Sequence, residues 1–120
     1  MLLRYGRLGH CRRHRHVAST LTMVLEGEQY ISEWQIDGSK KSVLRKKGDY
    51  ALASADALPH DERRGEEGGM VLLSMTAPDG ILFEYFDENM EKDGPFQLSN
   101  LLITGIAERF MVLKICKKSA

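Results

Sequence analysis

The chain has 120 residues, with 17 lysines and arginines against 17 aspartates and glutamates, so its formal net charge is zero. That length suits a single domain, residues 1-120, with a core large enough to fold without staples. The charge balance removes the whole-molecule case for nucleic acid or an anionic membrane as partner, and no apolar run approaches the ~20 residues of a membrane-spanning helix. Short apolar stretches cut by turn signals fill the rest. Met1-Leu2-Leu3 is already strand-like, and His14-Arg15-His16 reads as part of an extended strand. Leu21 to Leu25 ends at Glu26-Gly27-Glu28. Tyr30 to Ile36 alternates, with Tyr30, Trp34 and Ile36 in one phase, and stops at Asp37-Gly38, a hairpin signal. Ser42 to Arg45, Tyr50 to Ala53 and His60 to Arg64 follow. Met70 to Thr76 lies between Gly68-Gly69 and Pro78-Asp79-Gly80, and Ile81 to Phe86 is closed by an acidic loop that runs to Asp93-Gly94-Pro95.

Strands of this length at this spacing predict an all-β sandwich or barrel. No long stretch has a 3.6-residue period. The segment from Phe96 to Glu108 is the best helix candidate, and Phe110 to Ile115 is left open between a closing strand and a packed terminal helix. Met23, Leu25, Tyr30, Trp34, Leu72, Phe83 and Tyr85 are the expected apolar lining or core. Two cysteines, Cys11 and Cys116, form no disulfide framework or zinc spacing and read as packing residues. Together with the absence of a secretory-signal pattern at the start, they lead to an expected reducing, cytoplasmic setting. The arginine run from Arg4 to Arg15 and the acidic run from Asp87 to Asp93 read as solvated surface.

Side chains on a strand alternate, so His14 and His16 project to one face, roughly 6–7 Å apart along the chain. Two imidazoles at that spacing can close on one metal ion, and a third histidine on a neighbouring strand completes an open-sided site. His60 is the candidate third ligand. His10 shares the phase of His14 but falls near the rim. Arg12 is in the same phase, where an inward guanidinium would clamp an anion; a rim or subunit-interface arginine is the other reading. Tyr30 and Trp34 are candidate mouth residues, and Asp56 is the carboxylate that the loop before His60 brings nearest.

Gly9, His14-Arg15-His16, Thr20 and Gly27, followed by Gly48-Asp49 and His60, resemble the two short motifs of the cupin superfamily, small antiparallel jelly-roll barrels. The resemblance spans roughly residues 5-87. Within the superfamily the chain is similar to small single-domain enzymes around the acetylacetone-cleaving and dihydroxyacetophenone dioxygenases. That similarity implies Fe(II) on three histidines, with Zn, Ni and Mn as other ions the donors suit. It implies a small enolisable diketone-like or aromatic ketone as substrate, dioxygen-dependent C–C cleavage, and a homodimer. A non-catalytic metal- or small-ligand sensor is the alternative, and a metal-free isomerase or lyase with histidine bases a further one. The chain departs from the motifs in several places; Ser54 and Asp56 stand where the second motif has its proline and glycine, and Arg64 where it has asparagine. Thr20 stands where the motif has glutamate, which removes a carboxylate ligand. His60 comes one residue late, so it reaches the interior only if a loop or bulge absorbs the slip.

Overall fold

The computed structural model describes residues 1–77, 79–97 and 112–113. Among the described residues eleven strands form two sheets, and no helix occurs. The five-stranded sheet runs β11 (Val112–Leu113), β1 (Leu2–Tyr5), β8 (Gly69–Met75), β3 (Thr20–Gly27), β6 (Tyr50–Ala53). The six-stranded sheet runs β10 (Lys92–Gln97), β9 (Ile81–Phe86), β2 (His10–His16), β7 (His60–Arg63), β4 (Gln29–Trp34), β5 (Lys40–Arg45). Every pairing is antiparallel except β1 with β11. This is the all-β architecture that the spacing of short strands predicts, in the jelly-roll arrangement that the family resemblance implies.

Glycine is required where the sheets turn. Gly27 and Gly68 both have φ of +70°, and a Cβ on either would sit 2.3 Å from a backbone oxygen, that of Gly68 and of Tyr5 respectively. Only glycine fits there without strain, so the residue that ends the first motif closes β3 against β8.

The late hairpin departs from expectation. The acidic segment leads into β10, an edge strand that includes Gly94 and Pro95, so Phe96 and Gln97, the start of the helix candidate, are strand. An edge tolerates proline because its N–H faces no partner. Residues 98–108 of that candidate lie outside the described residues. The closing segment around 110–115 contributes β11 at Val112–Leu113.

Phe83 is in the core as expected, but on β3, β4 and β8 the core is built on the other phase from the one expected. Leu3, Tyr5, Val24, Val71, Leu73, Leu82 and Phe83 are buried between the sheets. Met23, Leu25 and Leu72 alternate with these residues on β3 and β8, on the outer face. Tyr30 is 44% exposed, and its hydroxyl donates to Glu28 Oε2 at 2.6 Å. Trp34 lies between the guanidinium of Arg13 at 3.8 Å and Lys40 at 4.9 Å. Period 2 identifies two faces but does not label which is inside, and the more apolar phase was the wrong one here. The opposite charge runs also do more than face solvent. Arg12 pairs with Asp93, Arg15 with Glu84, and Arg13 donates to the carbonyls of Asp87 and Glu88, tying β2 to the β9–β10 hairpin.

Candidate metal centre

β2 and β7 lie side by side in the six-stranded sheet, with His14 opposite His60 and Cys11 opposite Glu62. Two residues of β2, Arg12 and Arg13, therefore stand against Asp61 alone. This β-bulge puts Cys11 and His14, three apart, on the same face. Simple alternation puts His10 in that phase; the bulge instead leaves His10 exposed and His14 and His16 buried. The slip before His60 is absorbed in the loop 54–59. Asp56 takes φ of +56° there, its N–H donates to Val17 O, and Pro59 O accepts from Trp34 N–H.

These two strands bring His14, His16, His60 and Glu62 together, one donor atom from each lying within 4.8 Å of the others. The imidazole centroids are 4.5–5.4 Å apart, and Phe83 packs edge-on against His14 and His16 at 5.2 and 5.0 Å. All four side chains are at least seven-eighths buried, or, for His16, 5% exposed as a residue. His14 Nδ1 lies 2.7 Å from Arg12 O, and His60 Nδ1 lies 3.3 Å from Leu58 O. A carbonyl only accepts, so each Nδ1 carries the hydrogen and each Nε2 turns toward the cluster.

Glu62 is split between two tasks. Its Oε2 accepts from Gln29 Nε2 at 2.9 Å, Arg64 Nη2 at 3.2 Å and the Tyr5 hydroxyl at 3.3 Å. Its Oε1 faces His60 Nε2 at 3.4 Å and His14 Nε2 at 4.0 Å. Gln29 and Arg64 are themselves buried, at 1% and 3% exposure, and Arg64 stacks 3.9 Å from the Tyr5 ring. One oxygen is thus anchored and the other aimed at the imidazoles.

Burial pushes His14 down to about 4 and His16 to about 3, with neighbouring histidines adding to the effect. Both are neutral near pH 7, with a lone pair free. Burial acts the same way on His60, but the hydrogen bond and charge of Glu62 outweigh it and raise its pKa. Burial alone would raise Glu62; the hydrogen bond from His60, then the charges of His60, His14 and Arg64, hold it well below the usual carboxylate range. A lone pair and a carboxylate oxygen facing each other at this distance require a cation between or on them, either a proton or a metal ion. His16 adds an independent observation, since neither ring nitrogen has a hydrogen-bond partner although both are buried. Buried polar atoms left unpaired are rare. A divalent ion answers the first feature and takes up one of the two His16 nitrogens, so the donor set fits one.

A cavity of about 340 Å³ opens over one side of the cluster, walled by Leu3, Val71, Leu73 and Phe83 and reached past His10, Arg12 and Tyr85. Arg12 stands at its mouth, 4.6 Å above the Tyr85 ring and paired with Asp93. Thr20 is buried on β3, its hydroxyl donating to Ala18 O at 2.9 Å, and is not in the cluster. Asp56 points outward, 64% exposed, with Arg15 Nη1 at 3.6 Å. Tyr30 and Trp34 are likewise remote from this cavity, on the outer face of β4. The residue sequence reasoning missed is Glu62. Its signal was present: His60-Asp61-Glu62 has the same i, i+2 spacing as His14-Arg15-His16, and a carboxylate two residues along a strand shares the histidine's face. The expectation of a centre with no carboxylate is corrected accordingly, because β7 contributes the acid that Thr20 does not.

No family model and no curated protein matches the chain. Solved structures do. A single-site variant of oxalate decarboxylase from Bacillus subtilis matches 80% of this chain at 22% identity with a TM-score of 0.56. The structure of that enzyme at pH 4.6 matches 88% at 22% identity and a TM-score of 0.53. The fold is the cupin jelly roll. The chain spans only about a quarter or less of the length of those proteins, 22–25%. A third match, at 22% identity over 80% of the chain and a TM-score of 0.56, is titled for the Mn(II) centres of the B. subtilis decarboxylase. No helix among the described residues is long and apolar enough to cross a membrane.

Proposed function

We propose that this cupin binds one divalent ion through His14, His16, His60 and Glu62 and acts on a small organic ligand held in the adjoining cavity. The observation that carries the reading is the buried four-donor cluster with the unpartnered nitrogens of His16 at its centre. Three imidazoles and one carboxylate suit Fe(II) and Mn(II), and also Zn or Ni, so donor type does not choose among them. When bound, the ion supplies Lewis acidity and, for iron or manganese, a redox couple. Glu62 lowers the net charge of the centre by one, and Gln29, Arg64 and Tyr5 hold it in place. Phe83, Leu3, Val71 and Leu73 exclude water from the ligand. The reaction class proposed is oxidation of a small enolisable or aromatic ketone by dioxygen. The motif resemblance and the apolar cavity support it, while Glu62 weakens the preference for an anionic enolate that three neutral donors alone would create. Oxygen uptake by the Fe(II)-loaded protein across a diketone panel tests this reaction. Turnover that continues without oxygen would contradict it, and ligand binding without turnover would leave a sensor module.

One observation favours a second reading. His60 and Glu62 form a close pair, with the Tyr5 hydroxyl 3.3 Å from the carboxylate. That is the acid–base partnership an isomerase or lyase needs without metal. Activity that survives complete chelation of the ion would favour it over the metal-dependent reading.

A further inference from the structure

The flank of the cluster away from the apolar cavity is lined by small and polar side chains. On β3 the inward residues include Thr20 and Thr22, and on β6 they are Ala51 and Ala53, while Leu21, Met23, Tyr50 and Leu52 face out. A sheet with one face in water places its large apolar residues inward, so this part of the interior forgoes core packing. Ala51, Ala53 and Ala57 instead leave a chamber of about 50 Å³, whose polar lining is Thr22, Glu33 and Arg45 together with His16, His60 and Glu62 of the cluster. It shares only His16 and Glu62 with the apolar cavity. The rest of that cavity's lining comes from β1, β2, β8 and β9, and the rest of the chamber's from β3 to β7 with the loop 54–59.

Two donors of this chamber lack a match. Arg45 is half-buried, its Nη1 donates to Gln29 Oε1 at 3.4 Å, and it forms no ion pair among the described residues. Both ring nitrogens of His16 are buried without a partner. They diverge, so one ion takes only one of them, and the neutral ring carries its N–H on the other. A guanidinium and an N–H only donate, so the ligand must accept, and a planar carboxylate-like group matches the guanidinium fork. A water needs about 10–15 Å³ of such space, so the chamber has room for one anion of roughly three or four non-hydrogen atoms. We infer that it binds a small planar oxyanion of the formate or bicarbonate class, held between Arg45 and the second ring nitrogen of His16. Glu33 and Glu62 set how tightly. With a proton between His60 and Glu62, the charges of that proton, Glu62, Glu33 and Arg45 cancel; a divalent ion in the proton's place leaves one net positive charge. The anion therefore binds more tightly to the metal-loaded protein, and by linkage raises the affinity for the ion by the same factor. That coupling rests on the metal-centre reading; the chamber does not.

Calorimetric titration of the full chain with sodium formate, metal-free and loaded with Mn(II), tests the inference. One formate per chain is expected in both forms, with a Kd of about a millimolar, as suits so small a ligand, and at least about fivefold tighter with Mn(II). Arg45→Gln, and Ala53→Leu, which fills the chamber, should each weaken formate about tenfold or more with an unchanged circular dichroism spectrum. Arg12→Gln, at the mouth of the apolar cavity, should leave formate affinity as it is. Saturating formate should also tighten Mn(II) binding to the wild type by the factor seen in the formate titrations, a reading that needs no variant. Absence of formate binding, binding that Arg45→Gln and Ala53→Leu leave intact, loss on Arg12→Gln instead, or an Mn(II) affinity indifferent to formate overturns the inference. A chain that takes up formate through Arg45 but no Mn(II) supports the chamber and sinks the metal reading; Mn(II) uptake without formate does the reverse.

Discussion

Replacing Glu62 with glutamine changes one atom and removes one charge, yet it should be felt in two separate measurements. In the wild type, Oε2 accepts three hydrogen bonds, from Tyr5, Gln29 and Arg64, and Oε1 faces two imidazoles. Glutamine has one acceptor oxygen and one donor amide. With the amide toward Arg64, three donors confront a donor. With the amide toward the histidines, the fourth ligand atom is lost. In either orientation the Arg64 guanidinium, whose side chain is 1% exposed, loses its carboxylate. Removing one partner of a buried ion pair costs about 3–5 kcal/mol, so urea denaturation of the metal-free protein should show a loss of that order. The second readout is affinity for Mn(II) or Fe(II) by calorimetry, which should weaken at least about 100-fold, since even outer-shell partners are worth about 10–100-fold. His60 should meanwhile titrate lower than in the wild type, because the hydrogen bond and charge of Glu62 that oppose its burial are lost and only the Leu58 carbonyl and Glu33 still oppose it. A Glu62→Gln protein with wild-type stability and metal affinity would refute the role assigned to this carboxylate.

Other consequences follow from the same geometry. Burial holds His14 and His16 at about 4 and 3 in the folded metal-free protein, against 6.5 for an ordinary histidine. The unfolded chain therefore takes up two more protons than the folded one between about pH 4 and 6.5. Unfolding free energy should fall as pH drops through that window, with a limiting slope of about 2.7 kcal/mol per pH unit; a flat profile by denaturant titration would contradict the burial. His60 carries the raised pKa, so metal uptake below that value should release one proton and above it none, read by calorimetry in buffers of different ionisation enthalpy. Gly27→Ala should cost about 1–3 kcal/mol from its positive φ alone, and more from the contact with Gly68 O, without altering the metal stoichiometry of the protein that remains folded.

Much of the architecture was legible in the sequence because β turns are written in local residues. Gly27, Asp37-Gly38, Gly68-Gly69 and Gly80 mark strand ends that the structure places within a residue or two. That His14 and His16 share one face followed from alternation alone. What the sequence hid was global. The bulge at Arg12-Arg13 depends on β7 lying alongside β2, so His10 could be put in phase with His14 when it is not. The inside of β3 and β4 could not be told from the outside, since Thr20, Thr22 and Gln29 are buried while Met23 and Tyr30 are not. Polar residues line this interior because a cluster of histidines and a buried Glu62–Arg64 pair need them there. Glu62 escaped notice because the motif points to the slot Thr20 occupies and the loop before His60 points to Asp56, and only the pairing of β7 with β2 shows that the acid comes from β7 itself.

The central claim is that four side chains from two adjacent strands hold one ion. Titration of the chelator-stripped protein with Mn(II) and with Fe(II) under anaerobic conditions, alongside His16→Ala, tests it most directly. The account predicts one ion per chain for the wild type, with the site abolished or weakened by orders of magnitude when His16 is removed. A wild-type protein that takes up no divalent ion, or a His16→Ala protein that binds it as well as the wild type, would contradict it.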